Sequence, residues 1–155
     1  MIWEELKQSL IVPGMVADSY MDVFRQLGGA LIREGYTKDS YVDALMEREQ
    51  NYPTGLDING FGVAIPHTDI EHVNKAAIAV ASLNNPVTFF QMGTEDEKVE
   101  VRLVFMLVIT QPDAHIDELQ KILAVIQDVS VLKRLADAKD AQTMIHIIRE
   151  KEITL

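Results

Sequence analysis

The chain starts on a short apolar stretch, SLIVPGM, and then changes period. Between residues 16 and 34, Val16, Tyr20, Val23, Phe24, Leu27 and Leu31 recur every three or four positions, the spacing of one helix face. Gly35 stops that helix. Thr37 stands where it can cap a second helix, KDSYVDALMEREQ, with Tyr41, Val42, Leu45 and Met46 on its apolar side. YPTGLDING then reads as a loop with turns. Three apolar runs follow: GVAI at 62–65, AAIAVASL at 76–83 and VEVRLVFMLVI at 99–109. A turn at NNP (84–86) and a polar loop at GTEDEK (93–98) separate them. The third run is apolar on both alternating faces, as in a strand covered on two sides. From Asp113 the helical spacing returns. Ile116, Leu119, Leu123 and Ile126 form one stripe, Val131, Leu132 and Leu135 continue it, and AQTMIHIIREKE ends the chain as a last helix. Helices, then strands, then helices predict an α/β fold, a small mixed sheet flanked by helices on both sides.

A length of 155 residues suits one domain, 1–155, with its own core. There is no internal repeat, low-complexity tract or Ser/Gly/Pro-rich linker to divide it. The net charge of −10 narrows the partners. It argues against nucleic acid and against docking on anionic lipid, both of which need surplus Lys and Arg. A protein with a basic face fits better. The absence of cysteine excludes disulfides, thiol nucleophiles and thiolate-held zinc. MIWEELKQSL carries acids where a secretory signal carries positive charge. No apolar run approaches the roughly 20 residues of a membrane span, so no direct membrane insertion and a cytoplasmic location are expected.

The chemistry concentrates in GFGVAIPHTDIEH, residues 60–72. Imidazole has an ordinary pKa of about 6.5, so it is a largely neutral nucleophile near pH 7. Pro66 fixes its own φ and pushes Ile65 into an extended conformation, so the GVAI strand ends abruptly. His67 then stands at the carboxyl end of a strand, where α/β proteins place ligands. The plainer reading is a strand-end histidine that caps a backbone carbonyl.

Three other residues suit an anion at that place. His115, in TQPDAHIDELQKIL, falls in the first turn of a helix that Asp113 can cap. The unpaired N–H groups and partial positive charge there favour an anion and a neutral imidazole, which can donate to a phosphoryl oxygen. Arg48, near the end of the second helix, offers the planar fork that matches phosphate. Glu71, four residues beyond His67, can hydrogen-bond its ring and set the tautomer. Each has a plainer alternative: a solvated helix residue for His115 and Arg48, a loop acid for Glu71. A rival use of HTDIEH is a metal site built from His67, Asp69, Glu71 and His72, joined by His115, in a metal-dependent hydrolase. Its spacing matches no helical i, i+4 pair and no established zinc pattern. His72 and His146 read as surface or partly packed residues.

GVAIPHTD, preceded by MEREQNYPTGL and followed by QPDAHIDELQKIL, resembles the fructose/mannitol-type IIA component of the bacterial sugar phosphotransferase system (PTS). The likeness runs from about residue 18 to residue 149. PTGL and AIPHTD are most similar to the galactitol-type branch, with Thr68 where mannitol-type proteins tend to have glycine. The resemblance implies a mixed sheet flanked by helices and a phosphohistidine relay with no cofactor and no metal. Residue by residue, the phosphoacceptor falls on His67, the phosphoryl-contacting arginine on Arg48, the second active-site histidine on His115 and a nearby glutamate on Glu71. The implied donor is the phosphorylated carrier protein HPr, and the implied acceptor is a cysteine of a IIB component that works with a membrane IIC. Both partners must reach one histidine, so a shallow apolar patch around it is expected, with Met92 or Phe61 as candidate members. A regulatory IIA protein of the nitrogen-related type, signalling by phosphorylation-dependent partner binding, is the alternative that the same resemblance allows.

Overall fold

The computed structural model describes residues 1–113 and 116–155. Five strands form one mixed sheet: β1 (Ile11–Met15), β2 (Gly55–Ile58), β3 (Phe61–Ala64), β4 (Ala77–Phe90) and β5 (Lys98–Val108). Their order across the sheet is β1-β4-β5-β3-β2. The pairs β1/β4 and β3/β5 are parallel, and β4/β5 and β2/β3 are antiparallel. Two helices, α1 (Tyr20–Arg33) and α2 (Tyr41–Asn51), cover one face. Three others, α3 (Pro112–Ile126), α4 (Val129–Asp137) and α5 (Ala141–Glu152), cover the opposite face. The expected α/β/α sandwich is the fold observed.

Strand β5 shows why both faces need a cover. Leu103, Phe105 and Leu107 enter the core under α3–α5, while Val104, Met106 and Val108 enter the core under α1 and α2. A one-residue register slip would exchange the two sets, so the pairing is strongly specified. Helix α1 begins at Ser19, whose hydroxyl accepts the Asp22 N–H at 3.2 Å. It ends before Gly35, whose φ of +81° supplies the left-handed residue that closes a helix. The first residues are tied to the last helix. The carboxylate of Glu152 accepts the Ile2 and Trp3 amides at 2.9 and 2.7 Å, and the Arg149 guanidinium lies 4.8 Å from the Trp3 ring centre.

Several local expectations fail for identifiable reasons. SLIVPGM, read only as an apolar stretch, contains strand β1, which tolerates Pro13 because it is an edge strand. YPTGLDING is not all loop. Asn59 and Gly60 both take positive φ, +50° and +90°, the two-residue turn that closes a β2–β3 hairpin. NNP does not reverse the chain. Strand β4 runs through it as an irregularity between Ser82 and Val87, where the ladder to β5 lapses and residues 84–86 are exposed. Thr37 does not cap α2, since Ser40 occupies that position and Thr37 bridges Val73. Asp113 is not the cap of α3 either, because Gln111 stands there and Pro112 opens the helix. The stripe from Ile116 to Leu135 is broken at Asp128, whose side chain caps α4 by accepting the Ser130 N–H at 3.0 Å. Among the described residues, no helix is long and apolar enough to cross a membrane.

Gly62 allows β3 to lie against β5 just upstream of His67. A Cβ there would run into the Glu100 carbonyl of β5, which is backbone and has no rotamer to give way. Gly62→Ala is therefore expected to lower unfolding free energy by about 3 kcal/mol, measured by urea denaturation, because it separates a central strand pair.

Candidate active site

The site lies beyond the carboxyl ends of the parallel pair β3 and β5, at the edge of the α2 C-terminus. Strand β3 stops because Pro66 has no N–H to extend the ladder. The chain leaving it is strapped on two sides. Ile65 N–H donates to the Thr54 carbonyl at 3.2 Å, and the Pro66 carbonyl accepts the Leu107 N–H at 3.0 Å. His67 follows with little backbone freedom.

His67 is mostly covered, the residue being 8% exposed, and it borders an open hollow of about 210 Å³. Its Nδ1 lies 3.0 Å from the Ile65 carbonyl oxygen. A carbonyl only accepts, so Nδ1 carries a proton, and in the neutral ring the lone pair falls on Nε2. The plainer reading of His67 as a carbonyl cap thus describes its Nδ1 correctly. Ile70, Ile109 and Pro112 supply apolar walls of the hollow, and Arg48 and Asp69 its polar wall.

Arg48 extends from the last turn of α2 to this hollow. Its Nη1 donates to Asp69 Oδ1 at 3.0 Å, and its guanidinium lies 5.2 Å from the Tyr52 ring centre. Its Nε is buried and has no acceptor among the described residues. The Asp69 carboxylate is 70% exposed. An exposed pair of this kind contributes roughly 0–1 kcal/mol, so a dianion entering the hollow can compete for the guanidinium. The sequence named Asp69 only as a metal ligand; the structure makes it the resting partner of the arginine.

The other expectations divide. His67 and Arg48 share the hollow. Glu71 does not orient His67: its Oε1 lies 3.7 Å from His72 Nε2, its side chain is largely exposed, and the Ile65 carbonyl holds Nδ1. His115 lies outside the described residues. Among the described residues the metal cluster does not assemble. Asp69 faces Arg48, Glu71 faces His72, and His72 Nδ1 is 2.8 Å from Ser40 Oγ. Among the described residues, no three His, Cys, Asp or Glu side chains converge. His146 pairs with Glu150 on α5 at 2.8 Å, away from the hollow. Phe61 is buried in the core, and Met92 donates its N–H to Gly55 beside β2; neither lines the hollow.

Sequence reasoning missed Glu49. It follows Tyr41 and Leu45 at intervals of four, so it falls on the buried stripe of α2, and it is 5% exposed. Its Oε2 accepts the Thr54 N–H at 2.7 Å and its Oε1 accepts the Thr54 hydroxyl at 2.8 Å. Burial pushes its carboxyl from 4.5 up to about 7, against the lowering pull of the Thr54 hydrogen bonds and the Arg48 charge. A raised folded-state pKa favours the fold below the unfolded value, and that contribution is lost as pH rises through the folded value. The rise from 4.5 to about 7 corresponds to about 3 kcal/mol. Wild-type protein is therefore expected to lose stability relative to Glu49→Gln between pH 4.5 and 8. Urea denaturation of both across that range checks the sign, and a pH-independent difference would contradict it.

Comparisons with known proteins identify the family and the fold. The family described as "Phosphoenolpyruvate-dependent sugar phosphotransferase system, EIIA 2" matches residues 4–151. The galactitol-specific EIIA component of the PTS from Escherichia coli (strain K12) is 27% identical over 121 residues, 78% of this chain and 80% of that protein. Enzyme IIAMTL from Escherichia coli, solved in complex with phosphorylated enzyme IIBMTL, superposes with a TM-score of 0.78 at 25% identity, covering 94% of this chain and 97% of that one. The nitrogen regulatory protein IIA-Ntr from Neisseria meningitidis superposes with a TM-score of 0.78 at 31% identity, over 95% and 98% of the two chains. With its sandwich fold and a histidine seated at the end of β3, the chain belongs to the EIIA 2 family of the sugar phosphotransferase system.

Proposed function

We propose that this protein is a phosphocarrier that receives a phosphoryl group from phosphorylated HPr on His67 Nε2 and passes it to a cysteine of a IIB component. The observation that carries this reading is the bond from His67 Nδ1 to the Ile65 carbonyl, which in the neutral ring assigns the proton to Nδ1 and the nucleophilic role to Nε2. In the first step that lone pair forms a bond to phosphorus as the bond between phosphorus and the donor breaks. The proton on Nδ1 stays in place, hydrogen-bonded to Ile65. In the second step a thiolate of the acceptor attacks phosphorus, and the electron pair of the N–P bond returns to Nε2.

Phosphoryl transfer needs alignment and charge stabilisation more than covalent help. Alignment comes from the two straps on Ile65 and Pro66. Charge stabilisation comes from Arg48, which exchanges Asp69 for a phosphoryl oxygen. His115, carried over from the family resemblance, is assigned a second donor role. Glu71 has no assigned contact with the ring and pairs with His72 instead. Ile70 in the hollow wall, Tyr52 beside Arg48 and Ile116 one turn along α3 from Pro112 are exposed at 39%, 66% and 64%. These suit a shallow protein interface, and the net charge of −10 suits partners with basic faces.

The route assigned to the phosphoryl group ends in uptake of a sugar or sugar alcohol through the IIB and IIC components. The likeness to a galactitol-specific component favours a galactitol-like substrate. A regulatory reading, in which phosphorylation of His67 changes binding to another protein, draws on the 31% identity to nitrogen regulatory IIA. Labelling with radioactive phosphorylated HPr tests the carrier function. Wild type is expected to take up one phosphoryl group per chain, and His67→Ala to take up none while keeping its fold by circular dichroism. Undiminished labelling of His67→Ala would overturn the assignment.

A further inference from the structure

We propose that Glu49 is a positioning residue for His67, acting through Thr54 and Ile65. The inference rests on the reading of His67 as the phosphoacceptor and extends that site inward by three residues. A continuous series of buried contacts joins the two side chains. Glu49 accepts both the amide and the hydroxyl of Thr54, at 2.7 and 2.8 Å. The Thr54 carbonyl accepts the Ile65 N–H at 3.2 Å, and the Ile65 carbonyl accepts the His67 Nδ1–H at 3.0 Å. All four residues are buried.

The geometry explains why an acid occupies a stripe position that would otherwise favour an apolar residue. Burying a carboxylate is costly unless hydrogen bonds satisfy it. Here its two oxygens hold both donors of one residue, so Thr54 is fixed in translation and in rotation. Thr54 in turn presents the carbonyl that sets the position of Ile65, and Ile65 presents the carbonyl that decides which ring nitrogen of His67 bears the proton. Loosening Thr54 lets the Ile65 carbonyl drift from Nδ1, and the ring then gains access to the Nε2–H tautomer, which has no lone pair where the phosphoryl group arrives. Glu49 also adjoins Arg48 in sequence and feels its charge. One buried acid thereby braces the nucleophile from behind and sits next to the residue assigned to the phosphoryl oxygens. A purely structural acid would stabilise the α2–β2 connection without touching the tautomer, and this difference is measurable.

The test uses the full 155-residue chain labelled with nitrogen-15, as wild type, Glu49→Gln, Thr54→Ala and Thr54→Ser. Long-range proton–nitrogen spectra of the His67 ring report the tautomer, and a quenched-flow assay with phospho-HPr reports the rate. Wild type and Thr54→Ser, which keeps the hydroxyl, are expected to hold the Nδ1–H tautomer and equal rates. Glu49→Gln is expected to mix the tautomers and slow phosphoryl acceptance on the order of tenfold, as loss of an orienting partner does elsewhere. Thr54→Ala is expected to fall between. A wild-type tautomer and rate in folded Glu49→Gln overturn the proposal; if that variant does not fold, the same result in Thr54→Ala overturns it. A shifted tautomer in Glu49→Gln, with no labelling of the wild-type protein, supports the positioning role and refutes the carrier function instead.

Discussion

The site depends on one hydrogen bond, from His67 Nδ1 to the Ile65 carbonyl. It exists because Pro66 ends β3. Past a proline the ladder cannot continue on the same terms, and a strand-end carbonyl needs a donor. The imidazole provides it from two residues along the same chain. A contact that satisfies the backbone therefore also selects the ring tautomer, and local structure passes directly into chemistry. The parallel pairing of β3 with β5 supplies the rest: Leu107 N–H holds the Pro66 carbonyl, and the chain after β5 brings Ile109 and Pro112 to the same end of the sheet.

Around that bond the charges are arranged in layers. Arg48 stands at the mouth of the hollow with an exposed and weakly held partner in Asp69. Glu49, its neighbour in sequence, faces into the core and is engaged by Thr54. Helix periodicity alone separates them, since adjacent residues on a helix point about 100° apart. The outward residue is exchangeable and the inward one is fixed, which suits a site where the anion comes and goes while the nucleophile stays aligned.

Much of this was legible in the sequence. The helical stripes of α1, α2 and α5 and the two-sided apolar pattern of β5 carry strong periodic signals, and they set the sandwich. The elements that escaped are short or irregular. Strand β1 carries proline and glycine and survives only as an edge, and β2 is four residues long and disguised by turn-forming neighbours. The exposed proline in β4 reads as a turn until the bulge opposite β5 is seen. At the site, Pro66-His67 and Arg48 were legible because their residue types are uncommon in those frames. Glu71 was misplaced because proximity in sequence says little about direction once a turn intervenes. Glu49 could have been found from the stripe Tyr41, Leu45, Glu49, where an acid interrupts the buried face; Thr54 and the Ile65 carbonyl, which give that acid its meaning, come together only in three dimensions.

The most direct test of the account is the nitrogen to which phosphorus is attached. Phosphorus–nitrogen coupling in the phosphorylated, nitrogen-15-labelled protein identifies that atom. Coupling to Nε2 of His67 is expected, with the proton still on Nδ1 and hydrogen-bonded to Ile65. Phosphorus on Nδ1, or on any residue other than His67, would contradict it.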